Sequence, residues 1–342
     1  MKKQIGINFN YGPSELNDQI FKISSKRMEN RIRDAFSSVN VEVHTVDLVN
    51  PKSPETIAVI YFDFNWRHWL HDEFLKNVPY DKRVLVYVEP ANVNPTAYYF
   101  PFFRNHFKTV FTFDEILLAK NPTYIPHTIL PFGELEDYPS NRYTDIPFSN
   151  KKLLCSISSN RWHYMPQSNY GRRKRIYKWF CENHPDDFDL YGHSWNKPIT
   201  RIERIFGHPV FKCYRGTIDG PYSRKMDTMS RYKFALCVEN CATRPGYISE
   251  KIRDCLCSRT IPIYYGASGI EKRIPSHCYI NLREFKNCQA LYDYLTAMTE
   301  AEYSSRVEAI NQFILSPAAH YFSADNFTGI LVDGIMSRLG SK

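Results

Sequence analysis

A chain of 342 residues with 44 Lys and Arg against 36 Asp and Glu, a formal charge of +8 and 43% hydrophobic residues is long enough for two globular cores. Nothing in it approaches the roughly 18 to 20 consecutive apolar residues that cross a bilayer, and the start, MKKQIGINFNYGPSE, lacks the apolar stretch of a signal peptide. The expectation is a protein that stays in the cytoplasm, able to touch the inner face of the membrane. The positive charge suits an anionic ligand, whether a nucleotide diphosphate, an acidic glycan, a membrane surface or nucleic acid, and does not choose among them.

In chain order, the first part alternates strand-like and helix-like stretches: a strand over 5–10, a helix over 25–36, strands over 41–46 and 57–64, a helix around 68–77, a strand over 83–89, then strands near 110–113 and 128–132. Residues 134–150, rich in Pro, Asp, Ser and Asn, read as a linker. A second alternating set follows, with a strand over 153–157, a helix over 173–182 and a strand over 188–192. After Asn281 the pattern is mainly helical, and Phe327, Ile330, Leu331 and Ile335 share one apolar face. Short connections between strands and helices indicate βαβ units and a mostly parallel sheet in each of two doubly wound, Rossmann-like domains facing across a cleft, 1–145 and 151–342. Nine cysteines, with Cys155, Cys237, Cys255 and Cys257 inside apolar patterns and no zinc-like spacing, suggest buried reduced thiols and no metal site.

The segment Tyr232–Gly266, YKFALCVENCATRPGYISEKIRDCLCSRTIPIYYG, carries the chemistry. An apolar strand over 234–238 leads through a polar loop to Ser249, which can cap a helix beginning near Glu250. Lysine is disfavoured in a first helical turn, where the macrodipole is positive, so Lys251 is explained if it shares an anion with the helix N-terminus.

This segment resembles the donor-binding motif of the α1,3-fucosyltransferases, glycosyltransferase family 10, in which a YKFxLxxEN run precedes Y-[VI]-[ST]-E-K and a strand similar to TIPIYxG. The resemblance implies a GT-B fold with an acceptor-binding first domain and a donor-binding second domain. It also implies an inverting transfer of L-fucose from GDP-β-L-fucose to a glycan hydroxyl. Lys251 then holds the diphosphate, Glu250 bonds the ribose hydroxyls, and Tyr247 and Asn240 line the donor pocket. With no metal assigned, a second cation is required, and Arg173 in GRRKRIYKWF resembles the family's arginine, with Arg172 an open alternative. Glu89, ending the strand VLVYVE, resembles the family's acceptor base, with Asp63 and Asp114 as alternatives at other strand ends. The acceptor implied by class is an oligosaccharide or lipid-linked glycan, such as a bacterial surface polysaccharide. Competing readings are a same-fold enzyme for another nucleotide sugar and, from the basic run Arg172–Arg175, a nucleic-acid-binding protein. A dinucleotide oxidoreductase is disfavoured because no GxGxxG follows a strand.

Overall fold

In the computed structural model the described residues form two six-stranded, wholly parallel sheets. The structure describes residues 2–10, 12–22, 27–63, 73–128, 146–220 and 222–339. The linker expected at 134–150 and the strand expected over 128–132 fall mostly outside these.

The first unit takes in residues 1–135, 244–247 and 320–342. Its strands are β1 (Lys3–Asn8), β2 (Val41–Thr45), β3 (Thr56–Phe62), β4 (Arg83–Val86), β5 (Thr109–Thr112) and β6 (Ile125–Pro126), in the order β2-β1-β3-β4-β5-β6. All seven residues of β3 are buried, as expected of a central strand covered on both faces. Helix α1 (Met28–Ser37) lays Ile32 and Phe36 on this sheet.

The second unit takes in residues 136–243 and 248–319. It holds β7 (Lys152–Ile157), β8 (Phe188–Tyr191), β9 (Tyr214–Gly216), β10 (Tyr232–Val238), β11 (Ile261–Tyr265) and β12 (Ile280–Asn281), in the order β12-β11-β10-β7-β8-β9. Helix α2 (Tyr170–Asn183) follows β7, the short α3 (Arg201–Phe206) lies between β8 and β9, and α4 (Glu250–Cys257) joins β10 to β11. The chain reverses its direction of winding between β7 and β10, so the carboxyl ends of those two strands form the switch point where open α/β sheets take their ligands.

Two expectations need correction. The final helix, α5 (Ala324–Leu339), does not extend the second unit. Phe327, Leu331 and Ile335, spaced by four residues, enter the same core as Ile5, Ile7, Phe36 and Val84 of the first unit. The apolar stripe was legible, but a stripe says that a helix must be covered and not by what. The second correction concerns the thiols: Cys155, Cys237, Cys255 and Cys257 are buried and free as expected, whereas Cys181 and Cys213 are joined in a disulfide, with Cα atoms 5.2 Å apart.

Candidate functional site

The second unit gathers a charged cluster at its switch point, and its anchor is a residue that sequence reasoning passed over. Glu239, the first residue after β10, is fully buried. Its carboxylate accepts from the Ser249 backbone N at 2.8 Å and from Ser249 Oγ at 2.6 Å, which fixes the start of α4. Gly266, one residue past β11, makes room for this: a Cβ there would come within 2.6 Å of Glu239 Cγ. Ser249 caps α4 as expected, accepting from the Lys251 backbone N.

Lys251 turns its ammonium back toward this cap. Its Nζ donates to Ser249 Oγ at 2.9 Å and lies 3.4 Å from Glu239 Oε2 and 3.6 Å from Glu250 Oε1. The amine is therefore partly balanced by internal carboxylates, not free as the sequence led one to expect. The two carboxylate distances are long for charge-assisted bonds, so a bound anion that came closer would compete with them for the ammonium. The side chain keeps 17% of its surface exposed. Burial, the largest influence, lowers the Lys251 ammonium, but Glu250 and Glu239 together outweigh it and leave the pKa raised. For Glu250 burial again ranks first and raises the carboxyl; Lys251 and Lys225 more than offset it, bringing the pKa down to about 2. Glu250 is thus an ionised, acceptor-only group, the character needed to take two hydrogen bonds from a vicinal diol.

Arg173 lies on the inner face of α2, with Ile176, Tyr177 and Phe180. Its Nη2 donates to the Val238 carbonyl at 2.5 Å and to Asn240 Oδ1 at 3.0 Å, so one edge of the guanidinium ties α2 to the end of β10 and orients Asn240. Its Nε is buried without a hydrogen-bond partner. Arg172 is exposed, its guanidinium 4.4 Å from the centre of the Tyr265 ring. The structure thus brings Arg173, Asn240, Glu250 and Lys251 together in the second unit, with Glu239 and Ser249 beneath them.

Tyr247, expected to line the donor pocket, groups with the first unit, where its ring packs 5.5 Å from Phe113. The neighbouring Gly246 has φ 90°, and a Cβ there would run into the Phe113 carbonyl. Only a residue without a side chain allows that approach.

In the first unit, Glu89 is half-buried just beyond β4, and its position is set through its backbone. The Glu89 N–H donates to Asp63 Oδ2 at 2.9 Å and Oδ1 at 3.2 Å, while its carbonyl accepts from Tyr98 Oη at 2.9 Å. Asp63 follows β3, takes the Val88 N–H as well at 2.9 Å, and sits at φ 56°. Asn10 holds this unusual backbone by donating to the Phe62 and Asp63 carbonyls at 2.6 and 2.7 Å. Burial first, and the Glu89 charge second, push the Asp63 carboxyl up to about 8. Asp114 drops out as a base: one oxygen caps the helix Glu115–Lys120 through Leu117 N and the other is paired with Arg244. Arg244 had no role in the sequence reading, because nothing local links residues 130 positions apart.

Residues 149–307 match the family described as glycosyltransferase family 10 (fucosyltransferase), C-terminal part. The alpha-(1,3)-fucosyltransferase FucT of Helicobacter pylori is 38% identical over an alignment covering 75% of this chain, and the chain spans 60% of that relative's length. An alpha-(1,4)-fucosyltransferase of Arabidopsis thaliana is 40% identical, but over 20% of this chain and 16% of its own. Among solved structures, an alpha1,3-fucosyltransferase with GDP-fucose superposes with a TM-score of 0.55 at 18% identity, covering 100% of this chain and 91% of that one. An alpha-glucosyltransferase in complex with UDP and DNA gives 0.60 at 11% identity, covering 98% and 99%. At such identities these superpositions speak for the fold, which is that of the GT-B glycosyltransferases.

Proposed function

We propose, starting from a chain that belongs to glycosyltransferase family 10 through its residues 149–307, that it transfers L-fucose from GDP-β-L-fucose to a hydroxyl of a glycan with inversion. The observation that carries this reading is the cluster at the second unit's switch point. There Lys251 holds its two carboxylate neighbours only at long distance, Arg173 is anchored on one edge with its Nε unpartnered, and an ionised Glu250 stands beside them. Two cations on one site suit a diphosphate, and a carboxylate suits a ribose diol. Support for the donor's identity comes from the relatives, whose names describe fucosyltransferases, one of them with GDP-fucose bound.

In this reading the Glu89 carboxylate takes the proton of the acceptor hydroxyl as its oxygen bonds to C1 of the sugar. The bond from C1 to the diphosphate oxygen breaks on the opposite face, GDP leaves with the electron pair, and a β-linked donor gives an α-linked product. Lys251 and Arg173 meet the charge that develops on the leaving diphosphate, the role a divalent ion plays in other transferases, so transfer should persist in EDTA. The acceptor proposed is an oligosaccharide or a lipid-linked glycan.

Calorimetric titration with GDP, UDP and their fucose and glucose conjugates tests the donor, and tight binding of UDP in place of GDP would move the assignment to another nucleotide sugar. Glu89→Gln should abolish transfer and leave GDP affinity within about two-fold, since the change removes a base and keeps the shape. Turnover surviving in that variant would place the base elsewhere. Lys251→Ala should weaken GDP by ten-fold or more, as about 1.5–3 kcal/mol is typical of a hydrogen bond to a charged group. Unchanged affinity would end the diphosphate assignment.

A further inference from the structure

Helix α3 and the loop that follows it are built in a way that the transfer reaction does not explain. Ile202, Ile205, Phe206 and Val210 are 69%, 73%, 83% and 80% exposed, four of the five most exposed large apolar side chains among the described residues. Ile202, Ile205 and Phe206 have the i, i+3, i+4 spacing that covers one side of a helix, with Arg201 and Arg204 at its margin. Lys197 and Lys212, on the flanking loops, are exposed as well.

The acid of this helix is withdrawn from that surface. Glu203 is 13% exposed at its side chain, ion-paired with Lys174, and its other oxygen accepts from the Ile199 backbone N at 2.8 Å. Thr200 caps the helix by accepting from Glu203 N at 3.1 Å, and His208 Nε2 bonds the Trp195 carbonyl at 2.9 Å, so helix and loop are held from behind while their apolar side faces out. What remains outside is apolar and cationic, with no free carboxylate on the helix.

We propose that α3 and the loop to Val210 are a docking patch that seats the second unit on an anionic lipid surface. The composition fits an interfacial element: a short apolar face enters the boundary between headgroups and acyl chains, and basic side chains at its edge meet lipid phosphates. A second copy of the chain fits less well, because a two-fold contact through this face would bring Arg201 and Arg204 against their own counterparts with no acid to separate them. The patch lies outside the donor cluster, so the proposal does not depend on which sugar is transferred.

The test uses the full chain and sedimentation with vesicles of phosphatidylcholine alone or with about a third phosphatidylglycerol. Binding should appear with the anionic vesicles and weaken as salt rises. Arg201→Gln and Arg204→Gln should each lower the partition coefficient about five-fold, since one basic side chain near such a surface contributes about that factor. The double change Ile205→Ser, Phe206→Ser should lower it roughly ten-fold or more without altering the melting temperature or GDP binding, because both side chains are solvent-exposed to begin with. Failure of the parent chain to bind anionic vesicles, or equal binding by the serine double variant, overturns the proposal. So does a parent chain that dimerises without lipid and becomes monomeric in that variant, which would make the patch a contact between copies.

Discussion

Asp63 and Glu89 follow adjacent parallel strands, and the first holds the second by its backbone N–H. With the Asp63 carboxyl lifted to about 8, by burial first and by the Glu89 charge second, its proton stays on at neutral pH. The sign for stability follows. Between the ordinary carboxyl value of 3.8 and about 8 the folded chain keeps a proton that the unfolded chain has lost, so this group's contribution is largest at the acid end and falls as pH rises through that window. Asp63→Asn removes the titration and retains an acceptor for the Val88 and Glu89 amides. Its melting temperature should therefore change less than that of the parent between pH 5 and 8.5, and parallel curves would show that Asp63 does not carry the proton. Glu250 works in the opposite sense: its contribution is present above 4.5 and is lost as pH falls toward about 2. The two arginines can be separated too. The α2 period that buries Ile176, Tyr177 and Phe180 puts Arg173 on the same face at i−3, i−4 and i−7, and this settles which of the adjacent arginines faces inward. Arg173→Ala should lower both stability and GDP affinity, and Arg172→Ala neither. A loss of affinity confined to the Arg172 variant would reverse the assignment. Glu239 was harder to see, since its partners lie 10 and 12 residues on.

At the scale of elements, the strands were readable to within a few residues because in a parallel sheet buried on both faces each strand is a short apolar run. The run TIPIYYG, read as a strand from its resemblance, forms β11 over 261–265, while the very short β9 and β12 give no period to detect. Helix α5 shows where local reading stops. Its stripe was visible, but its place in the first unit depends on a chain return of some two hundred residues, which no window of sequence contains. Because Leu331 is fully buried there, Leu331→Ala should cost about 2–5 kcal/mol of the first unit's stability, the range for removing a core leucine. Hydrogen exchange would locate the loss. Protection should fall in β1, β3 and α1, which share that core, and stay unchanged in β7 and β10. Uniform loss across both sheets would mean that the helix supports more than its own unit.

For the whole molecule, the two sheets have different strand orders, and the donor assignment falls on one of them. A ligand that binds the folded second unit alone stabilises that unit by mass action, by about 2.7 kcal/mol at a concentration one hundred times its dissociation constant. For a unit of roughly 150 to 250 residues each kcal/mol moves the midpoint about 2–4 °C, so GDP at that excess should raise the second unit's transition by about 5–10 °C. Scanning calorimetry of the parent chain reads this directly, and hydrogen exchange assigns the shifted transition to β7, β10 and α4 or to β3 and β4. Lys251→Ala should melt below the parent without ligand, because it leaves the buried Glu239 and the neighbouring Glu250 without their shared cation, and it should also show little of the GDP-induced rise. A rise that persists in full in that variant would mean that the nucleotide is held without this lysine. A rise confined to the strands of the first unit would move the donor site to the other sheet, and the reading of the switch-point cluster would fall with it.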